Sequence, residues 1–134
     1  MGMLKLPLLA VLFFPAGFAQ SPACEGQPAT VRYLVIKPAG SIAEFMRAVS
    51  AQLAWYRSKG ITDNDIYAAP VLVTDEKTGQ QRYSDKEVMT FHINPPGPDR
   101  EPKRDEPLEA AARLARDNAD VKTVYRVCIP PKKQ

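Results

Sequence analysis

The order in which hydrophobic patterns succeed one another is the feature that most restricts how this chain can fold. Residues 31–37 (VRYLVIK) are β-branched and aromatic and are followed by a proline and a glycine, as a strand is. Ser41 and Glu44 then form a capping box, which is typical of the start of a helix. Apolar residues continue at helical spacing to about residue 59. This stretch therefore predicts a strand and then a helix.

A second and a third strand follow, and together they predict a hairpin. Residues 66–74 (IYAAPVLVT) are strand-like, and Pro70 cannot donate a backbone hydrogen bond, which favours a strand at the edge of the sheet. Residues 75–80 (DEKTGQ) have the composition of a turn. Side chains then alternate between two faces through residues 87–93, as they do in a strand.

A proline-rich loop separates this hairpin from a second helix and a fourth strand. Residues 94–107 contain five prolines among many charges, which excludes a strand or a helix interior. Pro107 suits the first turn of a helix, whose inner stripe of one leucine and several alanines would allow close packing on a sheet. Residues 121–129 (VKTVYRVCI) predict the last strand. The order β-α-β-β-α-β predicts an α+β fold of the ferredoxin-like type, a four-stranded antiparallel sheet with two helices on one face.

The amino terminus has the layout of a cleavable secretory signal. Lys5 precedes an apolar run over residues 6–19, and Gly17 and Ala19 place small side chains before a predicted cleavage at Gln20. A signal of this kind predicts a periplasmic or secreted protein.

Removal of a signal peptide over residues 1–19 would leave an N-terminal extension over residues 20–30 and one domain over residues 31–134. Two alternatives for the amino terminus remain open. A membrane anchor needs about 20 apolar residues, which is longer than this run. A lipoprotein would carry its lipid on Cys24, although the residues before that cysteine fit a lipidation signal poorly.

Cys24 and Cys128 would both reach an oxidising compartment, where an intramolecular disulfide is favoured over two free thiols. A zinc site needs about four ligands, and the chain has one histidine to add to the two thiols. No metal and no other cofactor is therefore predicted. The disulfide also agrees with the predicted topology, in which the first strand lies antiparallel beside the fourth.

In the order, lengths and patterning of its elements, the segment over residues 31–129 resembles the dimeric α/β-barrel superfamily of ferredoxin-like proteins. The resemblance implies a homodimer in which two sheets form a shared barrel, and a small-molecule ligand in a pocket between sheet and helices. Proteins of that group include cofactor-free monooxygenases and haem-degrading enzymes. Fold alone does not select among these activities.

Two sequence features are relevant to self-association. The first and fourth strands are apolar on both faces, whereas one face of a lone two-layer sandwich meets water. Trp55 is predicted to project opposite the apolar stripe of its helix, as an interface residue. Partial burial of Trp55 under the proline-rich loop is the alternative.

Charge and residue types leave a small set of candidate sites. The net charge is +3 and the basic residues are scattered among acids, which argues against a nucleic-acid partner. No other apolar run is long enough for stable membrane insertion once the signal is removed. The sole histidine, His92, lies on one strand, and Arg32 and Arg126 lie on predicted neighbours. If these three residues converge, they predict a polar site that binds an anion or moves a proton.

The function predicted from these features is that of an exported small globular protein acting as a non-catalytic small-ligand-binding or protein-interaction module. The alternative is a cofactor-independent monooxygenase-like or haem-handling enzyme of the dimeric α/β-barrel type. A structural accessory of the cell envelope, acting through protein contacts, is a third possibility. The sequence contains no reactive constellation that decides whether the protein is an enzyme.

Overall fold

The computed structural model describes residues 23–132, so the predicted signal peptide over residues 1–19 lies outside the described residues. Six elements follow one another: β1 (Gln27–Ile36), α1 (Ile42–Ser58), β2 (Asp65–Thr74), β3 (Gln81–Ile93), α2 (Glu106–Asn118) and β4 (Ala119–Ile129). This is the predicted β-α-β-β-α-β order. No helix within the described residues is long and apolar enough to cross a membrane.

The four strands form one sheet in the order β2-β3-β1-β4, and every neighbouring pair is antiparallel. The ferredoxin-like prediction is therefore confirmed. Pro70 lies in β2, which is an edge strand as its missing backbone N–H predicts. The other edge is β4, whose pairing with β1 brings together segments that are far apart in the sequence.

Both helices begin at residues whose side chains accept a hydrogen bond from the first turn. Ser41 Oγ accepts from the backbone N–H of Glu44 at 3.3 Å, and Asp105 Oδ1 accepts from that of Leu108 at 3.4 Å. Only half of the predicted capping box forms, because the backbone N–H of Ser41 donates instead to Asn118 Oδ1 at 2.8 Å. Asn118 thereby joins the start of α1 to the junction between α2 and β4.

Two strands are longer than the sequence pattern indicates. β1 begins at Gln27, so the last residues of the predicted N-terminal extension belong to the sheet. β3 begins at Gln81, and its polar first half pairs with the end of β2 through Leu72 and Tyr83. Both of these side chains are largely exposed, at 54% and 70%. This part of the hairpin has no core beneath it, and therefore no alternation that could reveal it in the sequence.

The hydrophobic core lies between the sheet and the two helices. Val88 is fully buried in it, Leu34 lies directly across from Val88 on β1, and Phe45 on α1 belongs to the same cluster. Further core residues are Ile36, Val49, Tyr56, Ile66, Leu108 and Ala119. The core thus joins all six elements.

The predicted disulfide is present between Cys24 and Cys128, whose Cα atoms lie 5.6 Å apart. It fastens the segment before β1 to the end of β4. Gly26 lies so close to this end that a Cβ atom there would be 1.8 Å from the carbonyl oxygen of Ile129. Both thiols are consumed by the bond, and no free cysteine exists among the described residues. Such a bond indicates an oxidising environment.

The predicted exposure of Trp55 is wrong, since only 4% of the residue is exposed. Its indole N–H donates to Asp105 Oδ1 at 2.7 Å, and the ammonium of Lys59 lies 5.8 Å from the ring centroid. Lys59 also pairs with Asp105 at 2.6 Å. The end of the proline-rich loop therefore covers Trp55, which is the alternative that the sequence left open.

The sheet face that points away from the helices is largely apolar and is uncovered in the described chain. Tyr67 and Phe91 stack on it with ring centroids 5.0 Å apart. Tyr125 and Val127 of β4 are 52% and 41% exposed on the same face. The apolar side chains that the sequence predicted on the second face of the strands thus form a contiguous surface.

Candidate functional site

A cavity of about 450 Å³ lies between the sheet and both helices. Three helix-facing strand residues form its polar floor: Arg32 on β1 with Thr90 and His92 on β3. Arg32 is paired directly across from Thr90, while the next helix-facing pair, Leu34 and Val88, is apolar. Polar residues therefore replace core residues toward one end of the sheet, and they line the cavity there.

The helices contribute mainly apolar walls, with Gln52 and Arg116 as polar exceptions, and leave the space unfilled because several of their residues are small. Apolar wall residues include Phe45, Ala48, Val49, Leu108, Ala111, Ala112 and Ala115. The sequence predicted an alanine stripe on α2 that would allow close packing on the sheet. In the structure, three of its alanines line the cavity.

A chain of hydrogen bonds fixes the tautomer of the neutral His92 ring. Its Nε2 lies 3.2 Å from Asn64 Nδ2, and Asn64 Oδ1 accepts from Arg57 Nη1 at 2.6 Å. Because the guanidinium of Arg57 can only donate, the Asn64 amide must present its NH₂ group to His92. Nε2 is thus the acceptor, and Nδ1 carries the ring proton.

Burial, together with a smaller effect of the positive charge of Arg32, lowers the pKa of His92 from 6.5 to about 4. The imidazole is therefore uncharged at neutral pH. A base with so low a pKa removes protons weakly, because general base catalysis is most effective when the pKa lies near the working pH.

Tyr56 stands beside His92, with ring centroids 5.4 Å apart. Burial raises the pKa of Tyr56 far above its ordinary value, and the hydrogen bond that its hydroxyl donates to Glu101 Oε1 at 2.8 Å raises it further. The charges of Arg104 and Arg32 act in the opposite direction but are outweighed. The phenol is therefore a fixed donor to the proline-rich loop.

The charges that line the cavity are all positive. Arg32, Arg104 and Arg116 line it, and no aspartate or glutamate among residues 23–132 does. Arg104 forms an ion pair with Glu109 at 2.7 Å. Arg32, by contrast, makes no ion pair and no side-chain hydrogen bond with any described residue, although it lies half-buried on a central strand.

Of the three residues predicted to converge, the structure brings two together. His92 and Arg32 share the cavity floor. Arg126 is exposed on β4, opposite Thr30, and does not line the cavity. Their roles in binding or proton transfer stay predictions. Asn64 was not singled out from the sequence, and no spacing signal marks it.

No protein-family model and no curated protein sequence matches this chain. Among solved structures, the chain is similar to SnoaB, a cofactor-independent oxygenase from Streptomyces nogalater. The two share 11% sequence identity with a TM-score of 0.46, and the alignment covers 80% of this chain and 96% of that one. A likeness at this level identifies neither a family nor an activity. Within residues 23–132, no three histidine, cysteine, aspartate or glutamate side chains are grouped as metal ligands.

Acid should destabilise the fold through His92. The unfolded chain takes up a proton near pH 6.5 and the folded chain only near pH 4, so this contribution is complete above pH 6.5 and is lost as the pH falls toward 4. Linkage alone gives about 3 kcal/mol, which solvent screening of a half-buried ring reduces to about 1–2 kcal/mol. We expect His92→Gln, which keeps an acceptor for Asn64, to remove this part of the pH dependence in urea unfolding at pH 7 and pH 4.5. A stability difference between the two proteins that stays constant with pH would contradict the assignment.

Proposed function

We propose that the protein is a non-catalytic small-molecule-binding protein whose ligand occupies the cavity between the sheet and the helices. The observation that carries this proposal is the cavity itself. Its volume of about 450 Å³ lies in the range of small-molecule sites. Apolar walls with a few convergent polar groups are also typical of such sites, because the walls supply affinity and the polar groups fix orientation.

Catalysis is the second candidate, because His92 lines the cavity with the aromatic residues Tyr56 and Phe45. A cofactor-independent monooxygenase or a haem-handling enzyme would use such a cavity. Binding is favoured over both. His92 is a weak base, and its Nε2 lone pair is already engaged by Asn64. Oxygen uptake or haem turnover that is lost in His92→Gln would favour catalysis instead.

Filling the cavity should weaken the binding of a small apolar probe. The neutral dye N-phenyl-1-naphthylamine fluoresces when it leaves water, and we expect saturable binding to the wild-type protein. Ala112 is a half-buried cavity residue, so Ala112→Leu places a larger side chain in the ligand space. We expect this variant to bind the dye at least about tenfold more weakly, as measured by fluorescence titration.

A matched control is available on the exposed side of the same helix. Ala110 is exposed and does not line the cavity, so Ala110→Leu should leave the dye affinity unchanged. Equal binding by wild type and by Ala112→Leu would place the dye elsewhere and contradict the proposed function. Unchanged far-ultraviolet circular dichroism confirms that both variants fold.

A homodimer formed through the outer sheet face is part of the proposal. The apolar surface around Tyr67, Phe91 and Tyr125 has no helix above it within the described chain. Burying such a face against a second copy would give the shared barrel of the dimeric α/β-barrel superfamily. Sedimentation of the purified protein as a monomer at all concentrations would contradict this part.

Export to the periplasm or the cell exterior is the proposed location. The Cys24–Cys128 bond supports it, because structural disulfides persist in oxidising compartments. The apolar run over residues 6–19 supplies the signal. We expect the intact mass of the mature protein to match a chain that begins at or near Gln20. A mass that matches a chain beginning at residue 1 would contradict export by cleavage.

A further inference from the structure

We propose that the ligand is an amphipathic organic anion, whose single oxyanion head, of the carboxylate or sulfonate type, is bound by Arg32 at the cavity floor. This inference rests on the proposed function, since it requires that the cavity holds a ligand. It adds the chemical class of that ligand and the residue that selects it.

Arg32 is a half-buried cation without a carboxylate partner among the described residues. A charged side chain that is withdrawn from water normally has a partner, because desolvation of a lone charge is costly. Arg32 is half-buried on a central strand, in a position where the neighbouring helix-facing residue, Leu34, belongs to the core. Yet Arg32 has no carboxylate partner among residues 23–132. An anionic ligand would supply the missing partner.

The surroundings of Arg32 are suited to an anion and to no cation. Arg116 adds positive charge to the lining, Arg104 adds a guanidinium that is paired with Glu109, and no described carboxylate lines the cavity. The potential reaches the cavity interior, since the charge of Arg32 acts on the pKa of both His92 and Tyr56. A low-dielectric wall strengthens such a field relative to water.

Two further groups on the floor can complement an oxyanion. Thr90 lies directly opposite Arg32, and its hydroxyl forms no side-chain hydrogen bond with the described residues. His92 is neutral, with its ring proton on Nδ1, so it adds no charge that would require a second anionic group. A guanidinium presents two parallel N–H donors to one oxyanion. The floor therefore accommodates one anionic head, and the apolar walls accommodate the rest of the molecule.

A pair of matched dyes tests this inference on the intact protein. 8-Anilinonaphthalene-1-sulfonate is N-phenyl-1-naphthylamine with one added sulfonate. We expect wild type to bind the sulfonate at least about tenfold more tightly than the neutral dye. Arg32→Gln should remove this preference. It should weaken the binding of the sulfonate dye about tenfold or more, while the affinity for the neutral dye stays within about twofold.

Two control variants and one solution condition complete the experiment. Arg82→Gln removes the same charge from an exposed position on β3 outside the cavity, and both affinities should remain unchanged. Arg32→Lys keeps the charge but not the paired donors, so part of the preference should remain. Raising NaCl from about 50 to about 500 mM should weaken the binding of the sulfonate dye and not that of the neutral dye. This test does not depend on the folding of a variant.

The possible outcomes separate the two proposals. If both dyes bind in the cavity with equal affinity and Arg32→Gln changes neither, the anion proposal is overturned and the proposed function stands. If Arg32→Gln weakens both dyes equally, Arg32 shapes the cavity rather than selecting charge, and the anion proposal again fails. If neither dye is sensitive to Ala112→Leu, the proposed function fails first.

Discussion

Reduction of the Cys24–Cys128 bond should lower the free energy of unfolding by about 4 kcal/mol. The bond closes a loop between residues 104 positions apart, and cross-linking so long a loop removes many conformations from the unfolded chain. The folded chain should survive reduction, because β1 and β4 remain paired at both ends of the strands, with one irregularity between Tyr33 and Leu34. The measurement is urea unfolding with and without a phosphine reductant.

The double variant Cys24→Ser, Cys128→Ser provides the control for this prediction. Its unfolding midpoint should match that of the reduced wild type and should not respond to the reductant. An equal midpoint for oxidised and reduced wild type would contradict the prediction. It would mean either that the bond strains the folded state or that the unfolded chain is already compact.

Truncation of Trp55 should be the most damaging single substitution outside the cavity. Trp55→Ala removes a large side chain that is only 4% exposed, and substitutions of this kind cost about 3–5 kcal/mol. The change also removes the donor to Asp105, which caps α2 and binds Lys59. Trp55→Phe keeps most of the ring and should cost less, so that the two variants separate packing from the hydrogen bond.

An exposed aromatic residue offers the matched control for Trp55. Tyr83 is 70% exposed at the hairpin, and Tyr83→Ala should change the free energy of unfolding by less than about 0.5 kcal/mol. Chemical unfolding of all three variants tests this order. If Trp55→Ala altered self-association without lowering stability, the burial of Trp55 under the loop would be contradicted.

Local chemistry made the order of the elements predictable. The Ser41 cap, the edge proline Pro70 and the helix-starting Pro107 act on their own segments, so each could be recognised without knowledge of the rest. The first half of β3 escaped prediction because residues 81–86 extend past the core and carry no apolar alternation. The environment of Trp55 was predicted wrongly because helical periodicity identifies only the face of α1 that packs on the sheet. The proline-rich loop covers a different face of the helix, and Trp55 lies there.

The candidate site was predictable only in part. Arg32 and His92 were recognised as polar residues on neighbouring strands, but their convergence depends on the register between β1 and β3, which no sequence pattern shows. The cavity depends on where α2 lies above the sheet, and alanines are compatible with close packing as well as with empty space. Asn64 acts through a long-range contact to His92 across 28 positions of sequence, which likewise leaves no local signal.

The turn between β2 and β3 offers a place to immobilise the protein for measurements. Asp75 Oδ1 accepts from the backbone N–H groups of Lys77 and Thr78 at 2.8 and 2.9 Å, so the turn is stabilised by its own residues. A Cβ atom added at Gly79 would meet no other atom within 4 Å, so the tip of the turn is open. This tip lies about 30 Å along β3 from Thr90 on the cavity floor. A surface tether attached at Lys77 would leave the cavity and the outer sheet face open, so that ligand exchange could be followed on a sensor chip in real time.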